Sequence, residues 1–178
     1  MKNFFLICVS VALLTFVFTQ NGVAGQIKRF PDVNGNKVVF VSGDDIWTAS
    51  VQGGDAVRLT LHDGNERYPK FSPEGSMIAF TGEYDGNSDV YVMNSKGGEI
   101  RRVTFHPGMD EVVGWDPVKN KIIFNSGRNS TTRYTKLFLI SPDGTGLDEL
   151  IMYDASRGSF SPDGKKIAYN KVSRENRT

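Results

Sequence analysis

The chain holds two histidines, His62 and His106. Each follows a threonine, Thr60 or Thr104, at the same offset. An imidazole beside a carboxylate can serve as a general base or a metal ligand. Two positions related by a repeat, however, point the same way from neighbouring units without converging, so these histidines read as structural connectors. Glu66 and Asp110 also occupy matching offsets, and if they faced a channel they would bias it against acidic peptides. Asp85, Asn87 and Asp89 stand at positions 1, 3 and 5 of a calcium loop, where alternating oxygens wrap a hard cation. Val90 and Lys96 then take the places that need glycine and glutamate, so the ligand set is incomplete and the stretch reads as a turn-rich hairpin loop. Gly158 to Gly164-Lys165-Lys166 has the outline of a phosphate loop. Five residues separate its glycines where four are needed, and Lys166 replaces the Ser or Thr. The chain has no Gly-x-Ser-x-Gly elbow and no His-Glu-x-x-His. The residues therefore assign no catalytic, cofactor-binding or metal-ligating position, and no cofactor.

What must position such side chains is a repeat. Phe71-Ser72-Pro73-Glu74-Gly75, followed by Ile78-Ala79-Phe80, returns as Phe160-Ser161-Pro162-Asp163-Gly164, followed by Ile167-Ala168-Tyr169. Looser copies run from Trp115 to Phe124 and from Phe30 through Asn34-Gly35-Asn36 to Phe40. Proline presets φ for the second turn position and glycine suits the far end, so each copy is a turn between two strands. The residues after each turn read as short, largely buried strands. The closing aromatics Phe40, Phe80, Phe124 and Tyr169 recur at spacings of 40, 44 and 45 residues.

A third strand opens at Asp45-Ile46-Trp47, Asp89-Val90-Tyr91 and Lys136-Leu137-Phe138. Its aromatic, Trp47, Tyr91 or Phe138, is expected in the core between units, contributing roughly 2 to 3 kcal/mol by burial. Glycine turns follow at Gly53-Gly54, Gly97-Gly98 and Asp143-Gly144, then short strands ending in Leu59-Thr60, Val103-Thr104 and Leu150-Ile151. Four strands per repeat of 40 to 45 residues is the signature of a β-propeller blade. The expected fold is all-β, an arc of about three and a half four-stranded blades. These cover roughly residues 27–61, 65–105 and 110–153, with a half-blade at 157–172, inside a partial propeller at residues 26–178.

The chain opens differently. Lys2 precedes a run at residues 4–18 that is apolar except for Ser10 and Thr15, and Gly22-Val23-Ala24-Gly25 supplies small residues for cleavage after Ala24 or Gly25. That is the pattern of a secretory signal peptide at residues 1–25, and the run is short for a membrane span. The expected location is periplasmic or secreted, with no membrane attachment after cleavage. Cys8, the single cysteine, would leave with the leader, so the mature chain would have no thiol and no disulfide. Loss of Lys2 leaves 20 Lys and Arg against 20 Asp and Glu. A neutral chain without a basic stripe excludes nucleic acid as the expected partner. Asn129-Ser130-Thr131 and Asn176-Arg177-Thr178 match the glycosylation acceptor pattern, which a bacterial origin would make uninformative.

Several runs go beyond what a generic propeller repeat requires. Gly82-Glu83-Tyr84-Asp85-Gly86-Asn87, Thr104-Phe105-His106-Pro107-Gly108 and Asp110-Glu111-Val112-Val113-Gly114-Trp115, with the two Phe-Ser-Pro copies, resemble the first propeller of bacterial tricorn-type proteases. The resemblance covers residues 27–178. It implies the amino-terminal segment of an exported serine peptidase with a six-bladed propeller, a seven-bladed propeller, a PDZ module and a C-terminal catalytic domain. The nucleophile, its histidine and the supporting acid would lie in parts outside this sequence, so no catalytic residue is carried over. The segment itself would serve substrate access or scaffolding, meeting a peptide substrate or protein partner through its channel or loops. A non-enzymatic periplasmic propeller of the TolB type, or a ligand-binding lectin-like propeller, are the alternatives. Propellers close with about four to eight blades, so an arc of three and a half is expected to be part of something longer, and to self-associate when alone.

Overall fold

The computed structural model describes residues 28–131, 134–152 and 155–171. The expected leader, Cys8 and the second acceptor pattern lie outside those residues. The described residues contain strands, turns and bends and no helix. Blade one is β1 (Lys28–Asn34), β2 (Lys37–Ser42), β3 (Asp45–Ser50) and β4 (Val57–Arg58). Blade two is β5 (Glu66–Phe71), β6 (Met77–Gly82), β7 (Asp89–Asn94) and β8 (Ile100–Arg102). Blade three is β9 (Asp110–Asp116), β10 (Lys121–Ser126), β11 (Lys136–Ile140) and β12 (Asp148–Glu149). A two-stranded sheet, β13 (Ala155–Phe160) and β14 (Ile167–Lys171), follows. Each four-stranded sheet is an antiparallel meander in chain order, so the unclosed arc of three and a half blades is what the chain forms.

The turn residues act as their types require. In blade two Gly75 takes φ +73°, its N–H bonds Ser72 O at 2.8 Å, and the Ser72 N–H reaches Met77 O at 2.9 Å. The half-blade repeats this with Gly164 and Ser161. Blade three has no glycine there. Asn120 adopts the left-handed φ of +52° instead, while Asp116 Oδ1 accepts from the N–H groups of Val118 and Lys119 at 2.9 Å.

Period-two alternation assigns the two faces of each sheet. From blade two, Ile78, Phe80, Tyr91 and Met93 point back to meet Val39, Val41 and Ile46 of blade one. Ala79, Val90 and Val92 point forward to meet Trp115, Ile122, Phe124, Phe138 and Ile140 of blade three. On the far side of blade three, Ile123, Leu137 and Leu139 pack on Ala155 of the half-blade. Cross-strand partners Phe80–Tyr91 and Phe124–Phe138 stack at 5.8 Å and 5.7 Å.

Three sequence expectations are corrected. Trp47 aligns with Tyr91 and Phe138 but is only half-buried, and its indole N–H donates to Ser42 O at 3.0 Å. It lies on the face of blade one that no described sheet covers. Ile167-Ala168-Tyr169 repeats the apolar strand of blade two, yet β14 is largely exposed and Tyr169 is 45% accessible, because no described strand pairs with its outer edge. The fourth strands stop before Thr60 and Thr104. These threonines use their hydroxyls, not the backbone ladder, to accept the Ile46 and Val90 N–H groups at 2.8 Å and 3.0 Å.

Candidate functional site

Strands β1, β5, β9 and β13 run side by side, so the first strand of every blade forms the inner edge of the arc. Each is interrupted at the same place. The pairing of β1 with β2 slips between Arg29 and Asp32, and that of β5 with β6 slips between Arg67 and Lys70. In β9 and β13 the slips fall around Val113 and Ser156. Such bulges re-aim side chains. At the first two the extra residues are an aromatic and a proline, Phe30-Pro31 and Tyr68-Pro69. Proline cannot donate to a ladder, so a bulge is one of the few strand positions that tolerates it. Phe30 and Tyr68 themselves have φ of +54° and +53°, a left-handed conformation costing roughly 1–2 kcal/mol for a residue with a side chain.

The reward for that strain is placement. The Phe30 and Tyr68 rings lie 4.4 Å apart, and the Arg157 guanidinium sits 4.6 Å from the centre of the Tyr68 ring. Together with Lys70, Val112, Val113 and Tyr169 they line an open cavity of about 770 Å³ at the inner edge. Lys70 is paired with Asp32 at 3.1 Å, and Asp32 also accepts the Phe71 N–H, joining blades one and two. Among the lining residues the only charged side chains are Lys70 and Arg157. An apolar hollow with a few convergent polar groups is the general form of a ligand site.

The acids singled out from the sequence do not reach this cavity. Glu66 is fully buried between blades one and two. Its carboxylate accepts from Ile46 N–H at 3.0 Å, from the Thr60 hydroxyl and from the Tyr84 hydroxyl. Burial is the largest influence on it and raises its pKa above the ordinary carboxylate value, against the pull of those hydroxyls. Asp110, also fully buried, pairs with Arg128. Burial raises its pKa as well, while the nearby Ser126 hydroxyl and Arg128 charge oppose the rise. Its Oδ1 has no hydrogen-bond partner among the described residues. Glu66 ties blade two to blade one and Asp110 is held by Arg128 within blade three, so the expected bias against acidic peptides is overturned. The charges that do face the hollow are cationic.

The remaining candidates are structural in geometry. His62 and His106 each turn Nδ1 back onto the N–H two residues ahead, Gly64 at 2.9 Å and Gly108 at 3.0 Å. His62 also packs on the Tyr84 ring at 3.8 Å. Asp85 and Asp89 both pair with Arg102, at 3.0 Å and 2.6 Å, so a guanidinium occupies the place a calcium ion would need. The Asn87 amide N–H₂ donates to His106 O at 2.7 Å. Among the described residues no group of three or more His, Cys, Asp or Glu converges to hold a metal. At the loop with the outline of a phosphate site, Asp163 Oδ1 accepts from the Ser161 hydroxyl and the Lys165 N–H, so a carboxylate of the chain takes those donors. The inner-edge residues were missed in the sequence. The aromatic–proline pair ahead of two successive turns was the available signal.

Comparison with known proteins adds to this geometry. The family model described as the tricorn protease N-terminal beta propeller domain matches residues 26–178. The tricorn protease of Thermoplasma acidophilum is 28% identical over 147 residues, covering 77% of this chain and 14% of that protein. Tricorn protease homolog 1 of Streptomyces coelicolor is 38% identical over 58 residues, 33% of this chain and 5% of the relative. The chain thus spans a small part of the length of these relatives. Among solved structures, the tricorn protease superposes with a TM-score of 0.68 at 24% identity, covering 76% of this chain and 14% of that one. TolB from Acinetobacter baumannii superposes with a TM-score of 0.67, also at 24% identity, over 81% of this chain and 37% of its own.

Proposed function

The chain belongs to the tricorn protease N-terminal propeller family, and from that premise we propose that it forms the amino-terminal propeller of an exported tricorn-like serine peptidase, holding or admitting peptide rather than cutting it. The family match over residues 26–178 is the observation that carries this reading. Shape alone cannot choose between tricorn and TolB, whose propellers superpose almost equally, because one fold hosts many functions. The sequence match favours the first. The cavity at the inner edge, where the first strands of successive blades meet, is the natural place for a peptide to lodge.

Two measurements test the proposal. The purified chain, offered casein and short labelled peptides, should bind peptide without cleaving anything. Cleavage abolished by serine-directed inhibitors would refute the division of labour, and absence of peptide binding would refute the access role. Export is tested separately. Mature protein recovered from the periplasm or medium should begin at Gly25 or Gln26, and a cytoplasmic chain that still starts at Met1 would overturn it.

A further inference from the structure

We propose that the inner-edge cavity is an aromatic clamp that selects peptide segments in which an aromatic side chain is followed or preceded by an acidic one. The peptide as ligand rests on the function proposed above; the selectivity comes from the cavity itself. Two aromatic residues, Phe30 and Tyr68, are held at left-handed φ of +54° and +53° before proline. The bulges set that conformation, and both rings stay partly exposed to the cavity while their other sides pack against the cores between the blades. Local strain of this kind collects at ligand clamps. The two rings meet at 4.4 Å and are inclined by 57°, leaving the open cavity surface to a third ring. Stacking of an incoming ring on such a pair favours offset and tilted contacts.

Charge supplies the second half of the specificity. Arg157 is exposed and lies over Tyr68 at 4.6 Å, and among the described residues no carboxylate pairs with it. Its guanidinium plane stacks on an aromatic face and keeps its N–H groups free to hold a carboxylate side by side. Lys70, the other cation of the lining, is neutralised by Asp32 at 3.1 Å, so the uncompensated charge of the lining is that of Arg157. Among the described residues no acidic side chain lines the cavity. A basic peptide therefore meets repulsion, and an acidic one meets a waiting guanidinium.

The test uses the full chain and three fluorescent hexapeptides of equal length, carrying Asp-Phe, Lys-Phe or Asp-Ala at their centre, followed by anisotropy at low and high salt. The Asp-Phe peptide should bind at least tenfold more tightly than either of the others, with the advantage over Lys-Phe shrinking as salt rises. Arg157→Gln, an exposed change, should remove the preference for Asp over Lys at unchanged melting temperature. Tyr68→Leu should remove the preference for Phe over Ala, and Phe30→Leu serves the same purpose if Tyr68→Leu fails to fold. Equal binding of all three peptides, or an unaltered preference in Arg157→Gln, overturns the clamp while leaving peptide access standing. No binding of any peptide overturns both.

Discussion

At the scale of residues, the feature with the most consequence is a buried acid at the start of a blade. Glu66 satisfies three donors with no cation among its hydrogen-bond partners, whereas Asp110, one methylene shorter, meets Arg128 and leaves Oδ1 unpaired. Glu66→Ala would strand the Thr60 and Tyr84 hydroxyls and leave the Ile46 N–H to Thr60 alone, and should cost about 2–4 kcal/mol in urea unfolding. Glu66→Gln tests the ionisation. Burial raises the folded-state pKa of Glu66 above the unfolded value, so the native form holds its proton more firmly. The stability associated with that proton is fully present below the ordinary carboxylate pKa and is lost as pH climbs through the raised one. The melting temperature of Glu66→Gln relative to the parent should therefore rise as pH climbs from the ordinary carboxylate pKa through the raised one, and then level off. A difference that stays flat would show that Glu66 does not titrate in this window.

At the scale of elements, each blade is a meander whose two faces are dictated by alternation and whose turns depend on a few φ angles. Gly75 combines φ +73° with a virtual Cβ 2.7 Å from Asn34 Oδ1. That asparagine bridges the blades by donating its amide to Ser72 O and Pro73 O at 3.2 Å and 3.1 Å. Gly75→Ala should therefore cost about 1–2 kcal/mol from backbone strain alone, with more from displacing Asn34. Calorimetry of the variant checks this. Phe124 is fully buried and shared between the Phe138 stack and the interface with blade two. Phe124→Ala should cost about 3–5 kcal/mol, enough to unfold a marginal domain.

At the scale of the molecule, the arc has two unsatisfied ends. Blade one leaves Trp47 half-covered on the face whose counterparts in blades two and three are buried, and among the described residues no strand pairs with the outer edge of β14. Open strand edges and apolar faces promote association. The 178-residue chain should scatter light as concentration-dependent oligomers, and Trp47→Lys should shift it toward the monomer. A sharp monomer peak with one cooperative melt in the parent chain would contradict this. The ties between third and fourth strands also differ from blade to blade. Arg58 pairs with Asp45 in blade one and Arg102 with Asp89 in blade two, beside Thr60 and Thr104, which accept the Ile46 and Val90 N–H groups. In blade three the corresponding pair is reversed as Lys136 with Glu149, and Ile151, fully exposed, stands where threonine does in the others. Blade three is nevertheless fastened to the half-blade, where the Asn125 amide donates to Ser156 O at 3.0 Å.

Sequence alone determined the repeat, its strands and its turns, because proline, glycine and alternating apolar residues act through local backbone sterics and a period of two. It also determined that Tyr91 and Phe138 belong between sheets. Tertiary structure alone decided that Trp47 and Tyr169 do not share that fate. Burial depends on whether a neighbouring sheet is present, and a residue's own repeat position is silent on that. The same holds for the site. The offsets of Glu66 and Asp110 left open whether they face a channel, and only packing turned them inward, Glu66 to a backbone N–H and two hydroxyls and Asp110 to the Arg128 guanidinium. Phe30, Tyr68 and Arg157 come from three different blades. Their meeting around one hollow is a property of the curvature of the arc, which no local stretch of the chain encodes.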